Sequence, residues 1–156
     1  MANREEKLKQ IACEAIDSQI SHLKCLSRDI WNHPELCYEE KYAHKRITDF
    51  LEERGFNVER SFKIETAFRA RPRDVQSKGG EGPNVAVLCE YDALPEIGHA
   101  CGHNLIATVG VAASLGIQAA LQSSEFDGSG KVSHTHSHSL TEHAVFGMIL
   151  KEIRPT

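Results

Sequence analysis

Between residues 4 and 32 the apolar positions return at spacings of three and four: Leu8, Ile11, Ala15, Ile16, Ile20, Leu23, Leu26 and Ile30. That period lays them along one stripe of an amphipathic helix. Pro34 disfavours helical geometry at His33 and predicts the end of the helix there. A second helix is expected over residues 39–54, with Ala43, Ile47, Phe50 and Leu51 on one face and Gly55 as its C-terminal cap. After Gly55 the period changes. Phe56, Val58, Phe62 and Ile64 are evenly spaced, with polar Asn57, Glu59 and Lys63 between most of them, which is the alternation of a half-buried strand. Residues 67–71 extend or pair with that strand, and residues 72–83 collect Pro, Gly, Ser and charges as a loop does.

The run Val85-Ala86-Val87-Leu88-Cys89 is continuously apolar and predicts a central strand covered on both faces, stopped by Pro95. A loop over 96–103 then feeds a helix over 104–122, with Leu105, Val109, Ala112, Ala113, Ile117 and Leu121 expected to face inward. Strand, loop and helix in that order put the loop at the carboxyl end of the strand, the usual ligand position in open α/β sheets. Beyond Gln122 the chain is polar, low in complexity and His-rich and reads as tail, with a short helix predicted over 142–153. The pattern predicts an α/β chain: two N-terminal helices, a mixed sheet with flanking helices, and a disordered tail. The division is 1–122 for the folded part and 123–156 for the tail.

Length and charge narrow the function classes. A chain of 156 residues suits one domain, and 18 Lys+Arg against 22 Asp+Glu give a formal charge of −4 with no basic stripe. Nucleic acid is not an expected partner. The first ten residues mix both charge signs without an apolar core, and the uncharged run over 105–122 is short for a span and carries Thr108, Ser114 and Gln118. No membrane partner is expected. Five cysteines without a C-x-x-C pair point to a reducing compartment, so the expected localisation is cytoplasmic.

Candidate chemistry lies in His99-Ala100-Cys101-Gly102-His103-Asn104. In an extended loop alternate side chains share a side, so His99, Cys101 and His103 would converge. Thiolate and imidazole are zinc-type ligands, and the N-terminus of the next helix suits an anionic donor. The same residues also suit a small buried thiol beside hydrogen-bonded structural histidines. This fragment does not complete a site, because stable zinc binding needs at least three protein ligands. Asp92, near the strand end, either accepts a hydrogen bond from a metal-bound imidazole or caps a turn; Glu90 has the same two readings.

Cys89-Glu90-Tyr91-Asp92-Ala93-Leu94-Pro95, followed by Gly98-His99-Ala100-Cys101-Gly102-His103-Asn104, resembles the co-catalytic zinc metallopeptidase family of aminoacylases, carboxypeptidases and amidohydrolases. His33-Pro34-Glu35-Leu36-Cys37-Tyr38-Glu39-Glu40 resembles the segment linking that family's first two helices. Glu90-Tyr91 and Asn104 are most similar to the branch of cytosolic dipeptidases acting on a basic C-terminal residue, such as β-alanyl-lysine or Xaa-Arg. The resemblance covers about residues 5–122 and implies that residues 1–122 are the N-terminal part of a metallopeptidase catalytic domain, that Cys101 and His103 are metal ligands and that Asp92 is a supporting catalytic acid, with no ligand role for His99. It further implies zinc or manganese, two metals in the complete enzyme, a dipeptide or N-acyl amino acid substrate, and a homo-oligomer. A Glu-Glu pair on a later strand supplies the family's general base. Here Asp127-Gly128-Ser129-Gly130-Lys131 resembles the stretch after that pair, with Glu125 and Phe126 in its two positions.

Three functions compete. The first is a metal-dependent hydrolase of dipeptide or N-acyl amide bonds. The second is a shortened, catalytically inactive form acting as a binding or regulatory partner. The third is an unrelated α/β module with a structural or redox cysteine. The histidines at 134, 136, 138 and 143 could bind zinc loosely, without the rigid support a catalytic shell needs.

Overall fold

The computed structural model describes residues 3–73, 85–126, 132–134 and 145–150 of the chain. The elements run α1 (Arg4–Ser18), α2 (Ile20–Asn32), α3 (Lys41–Glu53), β1 (Phe56–Arg60), β2 (Phe68–Pro72), β3 (Val85–Glu90), α4 (His103–Gln122), β4 (Val132–His134) and β5 (Val145–Leu150), with a 3-10 turn at His99–Cys101 ahead of α4. β1 and β2 pair antiparallel, Phe56 opposite Pro72 and Arg60 opposite Phe68. A second sheet has the order β3-β5-β4, also antiparallel throughout. The parallel pairing among the described residues is an isolated bridge between Leu36 and Ala93. Helices and sheets mix as an α/β chain requires.

The expected first helix divides. Asn3 caps α1 by accepting the Glu6 N–H at 2.9 Å, but the helix tightens at its end, where Gln19 N–H donates to Ile16 O at 2.9 Å. Arg54 Nε donates to Gln19 Oε1 at 2.9 Å and fixes this break from α3. An apolar stripe continues across such a joint, so periodicity does not register it. α2 stops at Asn32, one residue before the position Pro34 disfavours. α3 ends as expected near Gly55, whose N–H donates to Glu52 O at 3.2 Å.

The core joins Leu26 and Ile30 of α2, Ile47, Phe50 and Leu51 of α3, Phe56 and Phe68 of the β1–β2 pair, Tyr91, and Val111 of α4. Each large apolar side chain buried this way contributes about 1.5–3 kcal/mol. β1 stops at Arg60 rather than running to Ile64, because Ser61 and Lys63 adopt left-handed φ of 53° and 72°; the even spacing beyond Arg60 belongs to a turn.

Three further expectations change. β3 lies at the edge of its sheet, with β5 in the middle. Its Cys89 side is buried while Leu88 on the other side is exposed, so an apolar run states capacity for burial and not how many faces are covered. On α4, Leu105 and Val109 point outward at 60% and 67% exposure, and Asn104, Ala107, Val111, Ser114 and Gln118 face in. α4 is apolar nearly all round, so its periodicity has no unique phase. Close packing sets the phase instead: a Cβ on Gly116 would stand 3.0 Å from Ile16 Cδ1 and 3.2 Å from Ala12 O of α1. By length and composition α4 could cross a membrane, but it packs against α1, α2 and β3.

The third change is in the tail, where Val145–Leu150 is a strand and not part of a helix, in register with β3 from Val85↔Leu150 to Glu90↔Val145. A short apolar run is compatible with either element, and pairing with β3 decides it. The rest of the expected tail, at 127–131, 135–144 and 151–156, and most of the expected loop, at 74–84, lie outside the described residues.

Candidate functional site

One residue, Tyr91, separates Glu90 from Asp92, which puts both carboxylates on one side of extended backbone. Both reach the same imidazole. His103 Nδ1 lies 2.8 Å from Asp92 Oδ1 and 3.0 Å from Asp92 O, and Nε2 lies 2.9 Å from Glu90 Oε2. The Asp92 side chain is 2% exposed. Cys101 Sγ–H points at the same Asp92 carbonyl from 3.9 Å.

The local chain path explains the convergence. Ala93 N–H donates to Glu35 O at 2.7 Å, and Leu94 and Gly98 exchange backbone hydrogen bonds of 2.9 and 3.0 Å, which ties the 92–98 loop to the α2–α3 connection. The Glu35 carboxylate accepts the Tyr42 and Ala43 N–H groups at 2.8 and 2.9 Å, satisfying donors that the start of α3 leaves unpaired. The 33–40 segment is therefore the clamp that holds the strand-end loop. Gly102, at φ 83°, takes the left-handed turn between the 3-10 turn and α4. Nothing lies within 4 Å of a Cβ added there, so conformation and not space requires glycine.

The extended loop expected over 99–103 is not formed. The segment is a 3-10 turn, in which side chains two apart do not share a side, and its His99 is buried. Neither of its ring nitrogens makes a hydrogen bond among the described residues; burial first, and nearby His103 second, hold its pKa below the usual histidine value.

Asp92, Cys101 and His103 meet, as the sequence suggests, and Glu90 joins them. A carboxylate therefore stands at each ring nitrogen of His103, and a metal ion at Nε2 would take the place of the Glu90 contact. By residue type Cys101, His103 and Glu90 are donors that zinc or manganese accepts. Among the described residues no group of three or more His, Cys, Asp or Glu side chains is placed to hold an ion, so further donors are needed to close a shell.

Sequence reasoning passed over Glu40, which is fully buried. Thr66 and the Tyr38 backbone lie near its carboxyl, outside hydrogen-bond geometry, and burial pushes its pKa above the usual value. Beside it the Tyr91 hydroxyl donates to Thr66 O. Burial also pushes the Cys89 thiol up to about 12, which makes it a packing residue. Glu125 stands beyond the far end of α4 from His103, about 30 Å of helix away, and pairs with Lys7 at 3.1 Å. It is not a member of this cluster.

No family model matches the chain. The chain is 52% identical over 123 residues to the Xaa-Arg dipeptidase of Mus musculus, covering 76% of this chain and 28% of that protein. With the Xaa-Arg dipeptidase of Homo sapiens it shares 45% identity over 125 residues, 75% of this chain and 29% of the relative. An alignment of that extent takes in the middle of the chain, and with it residues 90–104. The chain belongs to the amidohydrolase and dipeptidase family. A third relative, a subunit of the p-aminobenzoyl-glutamate hydrolase of Escherichia coli (strain K12), is 32% identical over 123 residues, 67% of this chain and 24% of its own length. The chain spans less than a third of the length of these curated relatives.

Proposed function

We propose that the whole protein hydrolyses the amide bond of a dipeptide or N-acyl amino acid, with dipeptides ending in a basic residue as the preferred class. The observation that carries this reading is the identity of 52% over 123 residues and 45% over 125 residues with two Xaa-Arg dipeptidases, in a chain that brings Asp92 to His103. Cys101 and His103 would hold a zinc or manganese ion, which when bound polarises a carbonyl and makes water acidic. Asp92 accepts a hydrogen bond from Nδ1 and, being buried, orients the imidazole without competition from solvent. The two loops clamped by Glu35 keep this geometry rigid, as a site held to within a fraction of an ångström requires.

A second reading follows from the incomplete donor set among the described residues: the 156-residue chain by itself binds metal weakly and acts as an inactive binding or regulatory partner. Cys13, Cys25, Cys89 and Cys101 are free thiols, which supports a reducing, cytoplasmic setting for either reading. Metal analysis of the purified chain, paired with hydrolysis of dipeptides ending in Arg, Lys or Glu, separates the two. Zinc- or manganese-dependent cleavage selective for Arg or Lys supports the hydrolase. Absence of turnover with substoichiometric metal supports the second reading, and cleavage indifferent to added chelator overturns the proposed chemistry.

A further inference from the structure

The inverted phase of α4 leaves an apolar surface next to α2. Ile20 and Trp31 of α2, 49% and 53% exposed, and outward-facing Leu105 and Val109 of α4 border an open groove of about 480 Å³. Its floor is fixed, since Asn104 Nδ2 of α4 donates to Ser27 Oγ of α2 at 3.0 Å. Lys24 and Arg28, one turn apart on α2, line the same groove. No carboxylate lines it, and neither cation forms an ion pair among the described residues.

We propose that this groove docks an amphipathic, acidic helix from a partner polypeptide. Between Ile20 and Trp31 the groove follows roughly 16 Å of helix, enough for about three turns of an occupant. A helix laid there presents apolar anchors at i, i+3 or i+4 and i+7 to the α4 side chains. Its carboxylates, along one flank, meet Lys24 and Arg28, and the unmatched pair of cations selects that sign. A second copy of this chain is a poor occupant, because a two-fold contact through this face sets Lys24 and Arg28 against a copy of the same groove, which no carboxylate lines.

Trp31 is the only tryptophan of the chain, so its emission reports occupancy directly. The probe is a synthetic peptide of about 14 residues with Leu at helical spacing and Glu between, compared with a twin in which Lys replaces Glu, both titrated into the 156-residue chain. The expected result is a saturable blue shift with the Glu peptide alone. Lys24→Glu with Arg28→Glu, both exposed and therefore harmless to the fold by circular dichroism, should weaken the Glu peptide about tenfold or more and admit the Lys peptide. Val109→Ser should weaken the Glu peptide without admitting the Lys one. Equal response to both peptides, no response to either, or a shift that grows with protein concentration alone alongside a dimer in sedimentation would overturn the proposal.

Discussion

Asp92 grips His103 through two atoms, its carboxylate Oδ1 at 2.8 Å and its own backbone carbonyl at 3.0 Å from Nδ1. Side chain and main chain of one residue thus fix the tilt of the imidazole. Asp92→Asn keeps the shape but can present an amide N–H to Nδ1. Metal affinity is expected to fall about 10–100-fold, the usual effect of losing such an orienting carboxylate, with far-UV circular dichroism unchanged. A zinc titration with a competing chromophoric chelator measures it.

The paired change Cys101→Ser and His103→Ala removes the two donors that meet at Asp92. Specific zinc or manganese uptake should disappear, while any loose uptake by the histidines beyond residue 133 stays. Unchanged stoichiometry in the double variant would move the metal to that His-rich segment.

Glu40 couples stability to pH. Its folded pKa is raised above the usual 4.5 by burial, so the folded protein keeps this proton longer than the unfolded chain. The associated stability is complete below about 4.5 and is lost as pH rises through the raised folded value. Glu40→Gln has no proton to lose. Melting curves of the two proteins should lie closest in relative stability below pH 4.5, and the variant should gain on the parent as pH rises toward neutrality. A constant offset across that range would refute the linkage.

The phase of α4 can be read from two valines two residues apart. Val111 is fully buried and Val109 is exposed. Val111→Ala should cost about 2 kcal/mol in urea denaturation, whereas Val109→Ala should stay within about 0.5 kcal/mol. The reverse ranking would restore the face expected from sequence.

Much of this protein is local and therefore legible in the sequence. Pro34 and Gly55 stop helices because they constrain or free φ at their own positions. The alternation from Phe56 to Val58 makes a strand because side chains there have a period of two, and Cys101, His103 and Asp92 declare their chemistry by residue type. The resemblance to a dipeptidase family rested on contiguous residues and was legible for the same reason.

Tertiary structure decided what depends on neighbours distant in sequence. Arg54 fixes the joint at Gln19 from 35 residues away, and Ala12 and Ile16 select the inward face of α4 by accepting Gly116 closely. β3 turns Val145–Leu150 into a strand by pairing with it. Within the site, the 3-10 turn replaces the extended loop and buries His99, while the two-residue offset of Glu90 and Asp92 sets a carboxylate at each nitrogen of His103. An apolar or ionisable residue states in sequence what it can do, but which partner it meets is fixed only when packing chooses among faces of nearly equal hydrophobicity.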